Sequence, residues 1–299
     1  MEKNRKLNSD YLKEINSRKD IETYFGDWIN DDNTQCLKNK FVKAQPFEHL
    51  IIDNFLNIDY ANSISNKFPN NFENWHKYYN PIEVKYAYDN IENFNDETKN
   101  LFYFLSSDKI TKKIMDITNI TNLTCDEYLH GAGLHAHPRY GRLGMHLDYE
   151  KHPYSGKQRR LNIILYLNKQ WDEKWNGYTE LWDKNMNNCI TKSHVKFNTA
   201  LLFRTNEISW HGIPEKIMCP ENIYRKTLAY YYISPLENDS DNAKAGNNGS
   251  GYRTKAYFVK RPQDVEDNRM TQLFNIRPQR RIEEGDMKTI WPEWTPETY

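Results

Sequence analysis

Three side chains with metal-binding chemistry are spaced so that they can act together: His146, Asp148 and His211. His146 and Asp148, in GMHLDY, are separated by one residue, so on a β-strand both would point to the same face. His211, in SWHGIP, comes much later in the chain, and a folded sheet must bring it back. Two imidazoles and one carboxylate suit Fe(II) and leave open coordination positions, so we predict that these residues bind an iron ion.

Arg225 and Thr227, in YRKTLAYYY, follow the second histidine and bring anion-binding chemistry. Arginine offers a planar fork of donors to a carboxylate, and threonine adds a hydroxyl donor. We therefore predict that these two residues bind a dicarboxylate co-substrate beside the metal. Neighbouring strands offer three further candidates for binding the co-substrate: Tyr128, Asn162 and Tyr166. Residues of these types more often pack in the core or make polar contacts at a sheet edge.

Two further histidines and a tryptophan are candidates for contact with a substrate. His135 and His137, in LHAHPRY, have strand-like spacing, but no carboxylate stands near them in the sequence. A loop or substrate-facing role is therefore favoured over a rival metal site, which stays open as the alternative. Trp210 directly precedes a predicted metal ligand and is the third candidate.

The composition excludes several classes of protein. Net charge is zero and the pI is about 7.1, so no global field attracts nucleic acid or an anionic membrane. No apolar run approaches the roughly 18 residues of a membrane helix. The first residues lack the hydrophobic core of a signal peptide, and the four cysteines have no zinc-site spacing. These features predict a cytoplasmic protein with reduced thiols and no membrane partner.

The pattern of the chain changes from helical to β at about residue 123. Residues 1–45 predict one or two short amphipathic helices, and 97–118 are helical in pattern. Residues 70–96, rich in Asn, Asp and aromatic side chains, predict a long irregular substrate loop. From 123 to 235, short strands separated by turn residues, the first of them at 123–130, predict an all-β sandwich or barrel. A jelly roll is the natural closed form of such a fold.

The last part of the chain predicts a loop and an extension. Residues 236–252 are rich in Gly, Ser, Asn and Asp, which predicts a mobile loop that forms the cavity mouth together with 70–96. Residues 253–299 are expected to pack along the core. The basic stretches at Lys112–Lys113 and Arg277–Arg281 predict solvated faces. The predicted division is therefore a helical extension at 1–45, a β domain at 46–235, and a loop with an extension at 236–299.

Six stretches in order resemble the 2-oxoglutarate- and Fe(II)-dependent dioxygenases, prolyl 4-hydroxylase-like branch. They are PFEHLIIDNFLNIDYANSISNKFP, MHLDYE, RRLNIILYLNKQW, FNTALLFRTNEISWHG, YRKTLAYYYISP and YRTKAYFVKRPQD. The chain departs from the family at Gly177-Tyr178, where paired glycines are usual, and in a longer interval from His211 to Arg225. Neither departure touches a predicted metal ligand.

The resemblance implies a mainly β fold with flanking helices around a double-stranded β-helix, or jelly-roll, core. It implies an enzyme that hydroxylates an unactivated C–H bond of a prolyl residue, a free amino acid or another small molecule. Fe(II) would be the metal, 2-oxoglutarate and O2 the co-substrates, and succinate and CO2 the by-products, with ascorbate as a further candidate cofactor. Halogenating relatives lack the carboxylate ligand, so Asp148 favours hydroxylation.

Three other readings stay open at this point. The chain can be a cupin-like metal-binding protein that uses no 2-oxoglutarate, or a binding module with a vestigial site. It can also be a nucleic-acid demethylase of the same superfamily, although the neutral pI and the lack of a basic stripe make nucleic acid an unlikely partner. The expected partner is a small-molecule or peptide substrate.

Overall fold

The computed structural model describes residues 6–236 and 252–298, so most of the loop predicted over 236–252 lies outside the described residues. The α-helices within them are α1 Ser9–Ser17, α2 Asp31–Lys43, α3 Ile58–Asn66, α4 Asp96–Ser106, α5 Asp108–Thr118, α6 Asn268–Ile276 and α7 Glu284–Ile290. Asn8 caps α1 by accepting hydrogen bonds from two backbone amides of its first turn. None of these helices is long and apolar enough to span a membrane.

Thirteen strands of the described residues form one antiparallel sheet. They are β1 His49–Ile52, β2 His76–Tyr79, β3 Glu83–Tyr88, β4 Thr124–Cys125, β5 Gly133–His137, β6 Arg142–Leu147, β7 Gln158–Tyr166, β8 Thr179–Trp182, β9 Cys189–Ser193, β10 Ala200–Arg204, β11 His211–Ile213, β12 Arg225–Ser234 and β13 Tyr257–Phe258. The order is β1-β10-β7-β12-β5-β3-β6-β11-β8-β9, with β2 on β3, β4 on β12 and β13 on β6.

Strand β3 carries the sheet round from one layer to the other. Its end near Tyr86 pairs with β5, and its beginning, at Glu83 and Val84, pairs with β6. The sheet thereby folds over on itself into a nearly closed barrel, with helices on its outside. This is the double-stranded β-helix, or jelly-roll, fold with flanking helices, as predicted.

The alternation of β12 separates an apolar outer face from a polar inner one. Leu228, Tyr230 and Tyr232 lie in the same apolar cluster as the buried faces of α4 and α5. Arg225 and Thr227 point the opposite way and line the barrel cavity. Because strand side chains alternate, packing of the helices on one face fixes the polar residues in the interior.

The C-terminal extension packs on the outside of β3, β6 and β13. Ile82 and Val84 of the β3 region and Phe258 of β13 form an apolar cluster with residues of α6 and α7 and with the end of the chain. The residues contributed by this end are Leu273, Met287, Trp291 and Trp294. The division into 1–45, 46–235 and 236–299 stays a prediction.

Two predictions about local structure were wrong. Residues 70–96 contain the β2–β3 hairpin and not a fully irregular loop. The Asn80 side chain accepts hydrogen bonds from the amides of Ile82 and Glu83 and so closes the turn between these strands. The strand predicted at 123–130 stops at Cys125, because the Asp126 carboxylate accepts hydrogen bonds from two following amides and forms a turn.

The basic stretches are also not wholly solvated. Lys113 is 6% exposed, and its ammonium group donates to the Asn30 carbonyl at 2.9 Å. Arg277 is 8% exposed and donates through Nε to the Glu83 carboxylate at 2.6 Å. Both cations are buried because distant parts of the chain supply their acceptors.

Candidate metal centre

The antiparallel pairing of β6 with β11 brings the two distant histidines together. His146 lies directly opposite His211. Asp148 comes two residues after His146, just past the end of β6. One Asp148 oxygen is 3.7 Å from His146 Nε2, and the other is 3.6 Å from His211 Nε2. Ligand atoms of all three side chains lie within 4.8 Å of one another, which suits a single metal ion.

Backbone carbonyls orient both imidazoles. His146 Nδ1 lies 2.9 Å from the Gly144 carbonyl, and His211 Nδ1 lies 2.9 Å from the Ser209 carbonyl. Since a carbonyl can only accept, each Nδ1 carries the proton and donates, which leaves the Nε2 lone pair for a metal. Each ring also rests on an aromatic neighbour, because Phe258 stacks on His146 and Phe203 packs against His211.

The charge state of the site also suits a metal. Burial, with His146 as a further cause, lowers the pKa of His211 to about 3, so this imidazole is neutral near pH 7. Burial alone would raise the pKa of Asp148, but Arg159 and the two histidines outweigh it and hold the pKa well below its ordinary value. A neutral His211 imidazole and an ionised Asp148 carboxylate are the forms that bind a divalent cation. Together with His146 Nε2 they fit Fe(II).

Arg159 supports the carboxylate, although no prediction from the sequence names this residue. It lies on β7, is 2% exposed, and places Nη2 3.2 Å from an Asp148 oxygen. Asn162, one of the predicted co-substrate residues, places its amide nitrogen 3.4 Å from the same oxygen. The guanidinium lies over the Tyr231 ring, 3.2 Å from its centroid. The signal in the sequence was an arginine pair at the start of an apolar strand.

Arg225 is a buried cation oriented by its neighbours. Its Nε donates to the Gly177 carbonyl at 2.5 Å, and Nη2 donates to Thr179 Oγ1 at 3.0 Å. The guanidinium carbon is 5.1 Å from the Tyr166 ring centroid. Within the described part of the chain, no carboxylate lies within 4 Å of it to form an ion pair, and burial lowers the pKa of Arg225. Such a cation favours an anionic ligand.

Gly177 stands where the family that the sequence resembles usually has paired glycines. Its φ of +86° is in the region that favours glycine. A Cβ at this position would lie 3.3 Å from the Arg225 Cδ and 3.0 Å from the Trp171 ring. A side chain here would therefore disturb the arginine.

A cavity of about 660 Å³ connects the three metal-ligand candidates with Arg225. Asn162, Thr227, His135 and His137 also line it. His135 and His137 lie on β5, opposite Thr227 and Arg225 of β12. Burial, with nearby cations as a further cause, holds the pKa of both histidines well below the usual value, so both rings are neutral. They line the cavity but do not belong to the metal-ligand group, and their contact with a substrate stays a prediction.

Three predicted site residues do not line this cavity. Tyr166 contacts the residues that hold Arg225: its hydroxyl is 3.0 Å from Thr179 Oγ1, and its ring lies beside the Arg225 guanidinium. Tyr128 packs against His152 and Tyr154, and its position does not support a co-substrate role. Trp210 lies in an apolar cluster and donates to the Lys184 carbonyl, so its position does not support substrate contact.

The β2–β3 hairpin lines the mouth of the cavity, where the sequence pattern predicts a loop. Alternation on β3 points Glu83, Lys85 and Ala87 inward, and Tyr78 faces inward from β2. Burial would raise the pKa of Glu83, but Arg277 and Lys85 outweigh it and lower the pKa to about 2. The mouth therefore contains buried charges that no pattern in the sequence had marked.

The comparison with protein families gives one match. Residues 132–233 match the family described as the 2OG-Fe(II) oxygenase superfamily. They make up about a third of the chain and contain the three metal-ligand candidates and Arg225. This part of the chain therefore belongs to the 2OG-Fe(II) oxygenase superfamily. Over these residues, the resemblance seen in the sequence is confirmed.

Solved structures with a similar fold include two prolyl hydroxylases. The one from Trichoplax adhaerens, in complex with a hypoxia inducible factor peptide fragment, is 16% identical, with a TM-score of 0.48 over 71% of this chain and 96% of its own. A Pseudomonas putida prolyl-4-hydroxylase is 12% identical, with a TM-score of 0.46 over 67% and 100%. HygX from Streptomyces hygroscopicus, with nickel, 2-oxoglutarate and hygromycin B bound, is 14% identical, with a TM-score of 0.43 over 73% and 94%. No curated protein matches the sequence.

Proposed function

We propose that the chain hydroxylates an unactivated C–H bond of a prolyl residue, a free amino acid or another small molecule. The reaction consumes 2-oxoglutarate and O2 and releases succinate and CO2, with ascorbate as a reductant that maintains activity. His146, Asp148 and His211 hold the Fe(II), and Arg225 binds the far carboxylate of 2-oxoglutarate. The aspartate ligand favours hydroxylation over halogenation.

One observation carries this proposal: a single cavity contains a complete His-Asp-His group and a buried arginine without a carboxylate partner in the described residues. A metal-binding protein without a 2-oxo acid would need the metal ligands alone. A buried guanidinium costs free energy unless an anion pairs with it, so its presence is explained by an anionic co-substrate. 2-Oxoglutarate has a carboxylate at each end, one for the metal and one for the arginine.

In the proposed reaction, different residues of the chain hold the metal ligands, orient Arg225 and exclude water. When bound, Fe(II) supplies the activation of dioxygen that is coupled to decarboxylation of 2-oxoglutarate. The Gly144 and Ser209 carbonyls hold the imidazoles in the metal-binding tautomer, and Arg159 keeps Asp148 ionised and oriented. Gly177 and Thr179 hold the Arg225 fork in place before any ligand arrives. The buried walls of the cavity keep bulk water from the reacting groups.

The test is succinate release by purified protein with Fe(II), 2-oxoglutarate and ascorbate. Proline-containing peptides, free amino acids and sugars are screened for stimulation above the rate without substrate. At least one compound is expected to stimulate succinate release and to gain one oxygen atom by mass spectrometry. Metal binding at the three residues without any 2-oxoglutarate consumption would contradict the proposal and favour the cupin-like alternative.

A further inference from the structure

The mouth of the cavity carries an excess of positive charge. Seven Lys and Arg side chains line the cavity, against four carboxylates. Two of the cations already have roles, because Arg159 pairs with Asp148 and Arg225 faces the co-substrate. Arg280, a third, pairs with Asp286 outside the cavity lining. The remaining cations are Lys85 on the β2–β3 hairpin, Arg277 and Arg281 between α6 and α7, and Lys255.

Lys85 and Arg277 share a single carboxylate. Arg277 takes the better geometry, with Nε 2.6 Å from one Glu83 oxygen and Nη2 3.4 Å from the other. The Lys85 ammonium is left 3.8 Å from Glu83, beyond hydrogen-bond distance, although its side chain is only 11% exposed. A mostly buried ammonium with so weak a partner has donors left for a ligand.

Arg281 adds a second cation at the same place. No carboxylate in 6–236 or 252–298 lies within 4 Å of its guanidinium, which instead donates to His76 Nε2 at 2.8 Å. Its guanidinium carbon is 5.3 Å from the Tyr78 ring centroid, and the Lys85 ammonium is 4.9 Å from the same centroid. Both cations therefore lie near the same aromatic ring at the cavity mouth. Like charges near one another repel, so an anion that contacts both cations would be stabilised.

We propose that the substrate carries an anionic group, a carboxylate or a phosphate, and that Lys85 and Arg281 bind this group at the cavity mouth. This inference rests on the proposed function, since it names the substrate class of the same site. The acid group lies at the mouth, and the C–H bond to be hydroxylated extends inward to the metal. Tyr78 offers its ring face to the carbon skeleton next to the acid group.

The experiment is calorimetric titration of the full chain, loaded with Mn(II) in place of Fe(II) and saturated with 2-oxoglutarate. Sulfate serves as the probe for a phosphate-like group and acetate as the probe for a carboxylate, at constant ionic strength. We expect one probe ion to bind per chain, and the tighter of the two probes identifies the group. Lys85→Gln and Arg281→Gln should each weaken binding by at least about tenfold, the effect of losing one charge-assisted hydrogen bond.

The controls separate a specific site from general charge. Lys77→Gln removes the same charge from the outward face of β2 and should leave probe binding unchanged, and Lys85→Arg should retain it. Arg281 is exposed, so its variant stays informative if Lys85→Gln unfolds. Absence of binding by both probes, or equal weakening by Lys77→Gln, would overturn the inference. Probe binding that appears only in a parallel titration without 2-oxoglutarate would also overturn it, because these cations would then serve the co-substrate.

Failure of this inference is distinguishable from failure of the proposed function. If the wild-type protein releases succinate but binds neither probe ion, only the proposal of an anionic substrate is refuted. If the probe binds through Lys85 and Arg281 but the protein never consumes 2-oxoglutarate, the anion site is supported and the proposed hydroxylase function is refuted.

Discussion

Arg225→Gln is expected to weaken the use of 2-oxoglutarate far more than it weakens metal binding. Glutamine keeps part of the volume and a donor at the position but removes the guanidinium charge. Arg225 is 1% exposed and has no carboxylate partner among the described residues, so in the loaded enzyme the co-substrate would be its counter-ion. The variant leaves the far carboxylate of 2-oxoglutarate in a buried place without that cation.

The size of the effect follows from this burial. Exposed ion pairs contribute about 0–1 kcal/mol, whereas truncation of one partner of a buried, hydrogen-bonded charge pair costs about 2–5 kcal/mol. The larger range corresponds to a rise in the 2-oxoglutarate dissociation constant of about 30-fold to several thousand-fold. Arg225 is held by Gly177 and Thr179 before the ligand binds, so little ordering cost offsets this loss.

The assay is the 2-oxoglutarate concentration dependence of succinate release, with direct titration of Mn(II) as the measure of metal binding. Lys226→Gln is the matched control, since Lys226 is the next residue on β12 and donates outside the cavity to Asn70. The control should keep the wild-type curve. A change of less than about fivefold for Arg225→Gln, which is the range of a surface pair, would refute the reasoning.

Three further variants test other parts of the site. His211→Ala should abolish the binding of one metal ion per chain while circular dichroism stays unchanged, and stoichiometric binding by the variant would contradict the assignment. Arg159→Met should lower metal affinity about 10- to 100-fold in the same titration, because Asp148 loses its orienting partner, and unchanged affinity would make Arg159 purely structural. Glu83→Gln should destabilise the fold near neutral pH, as measured by urea unfolding. Because the pKa of Glu83 is lowered from 4.5 to about 2, the stability gap from wild type should be constant above about pH 4.5 and shrink as the pH falls towards 2. A gap independent of pH would exclude the ion pair with Arg277 as its cause.

The metal-ligand candidates were accessible from sequence because their placement follows local rules. His146 and Asp148 share a strand face by spacing alone, and an apolar strand after His211 marks Arg225 as unusual. The jelly roll was accessible for the same reason, since short strands between turn residues repeat along 123–235. The rules involved concern residues close together in the chain.

The rest of the site depends on partners far apart in sequence. Lys85 and Glu83 lie in an Asn- and Asp-rich segment that the sequence pattern predicts to be a loop. Pairing with β2, β5 and β6 makes it a strand. The sequence predicts Arg277 to be a solvated cation, because its carboxylate partner lies 194 residues away in the chain. Trp210 and Tyr128 were chosen for neighbouring ligands or strands, and tertiary packing turned them away from the cavity.

The ion pair between Glu83 and Arg277 has a consequence for biosynthesis. Glu83 belongs to the strand that carries the sheet from one layer to the other, yet the cation that neutralises it leaves the ribosome 194 residues later. A nascent chain that ends before this arginine would have to bury an unpaired carboxylate in order to close its barrel. Such a chain is expected to stay open at β3, with its metal ligands unassembled. Closure of the barrel would thus wait for the synthesis of Arg277, which follows that of all three metal-ligand candidates.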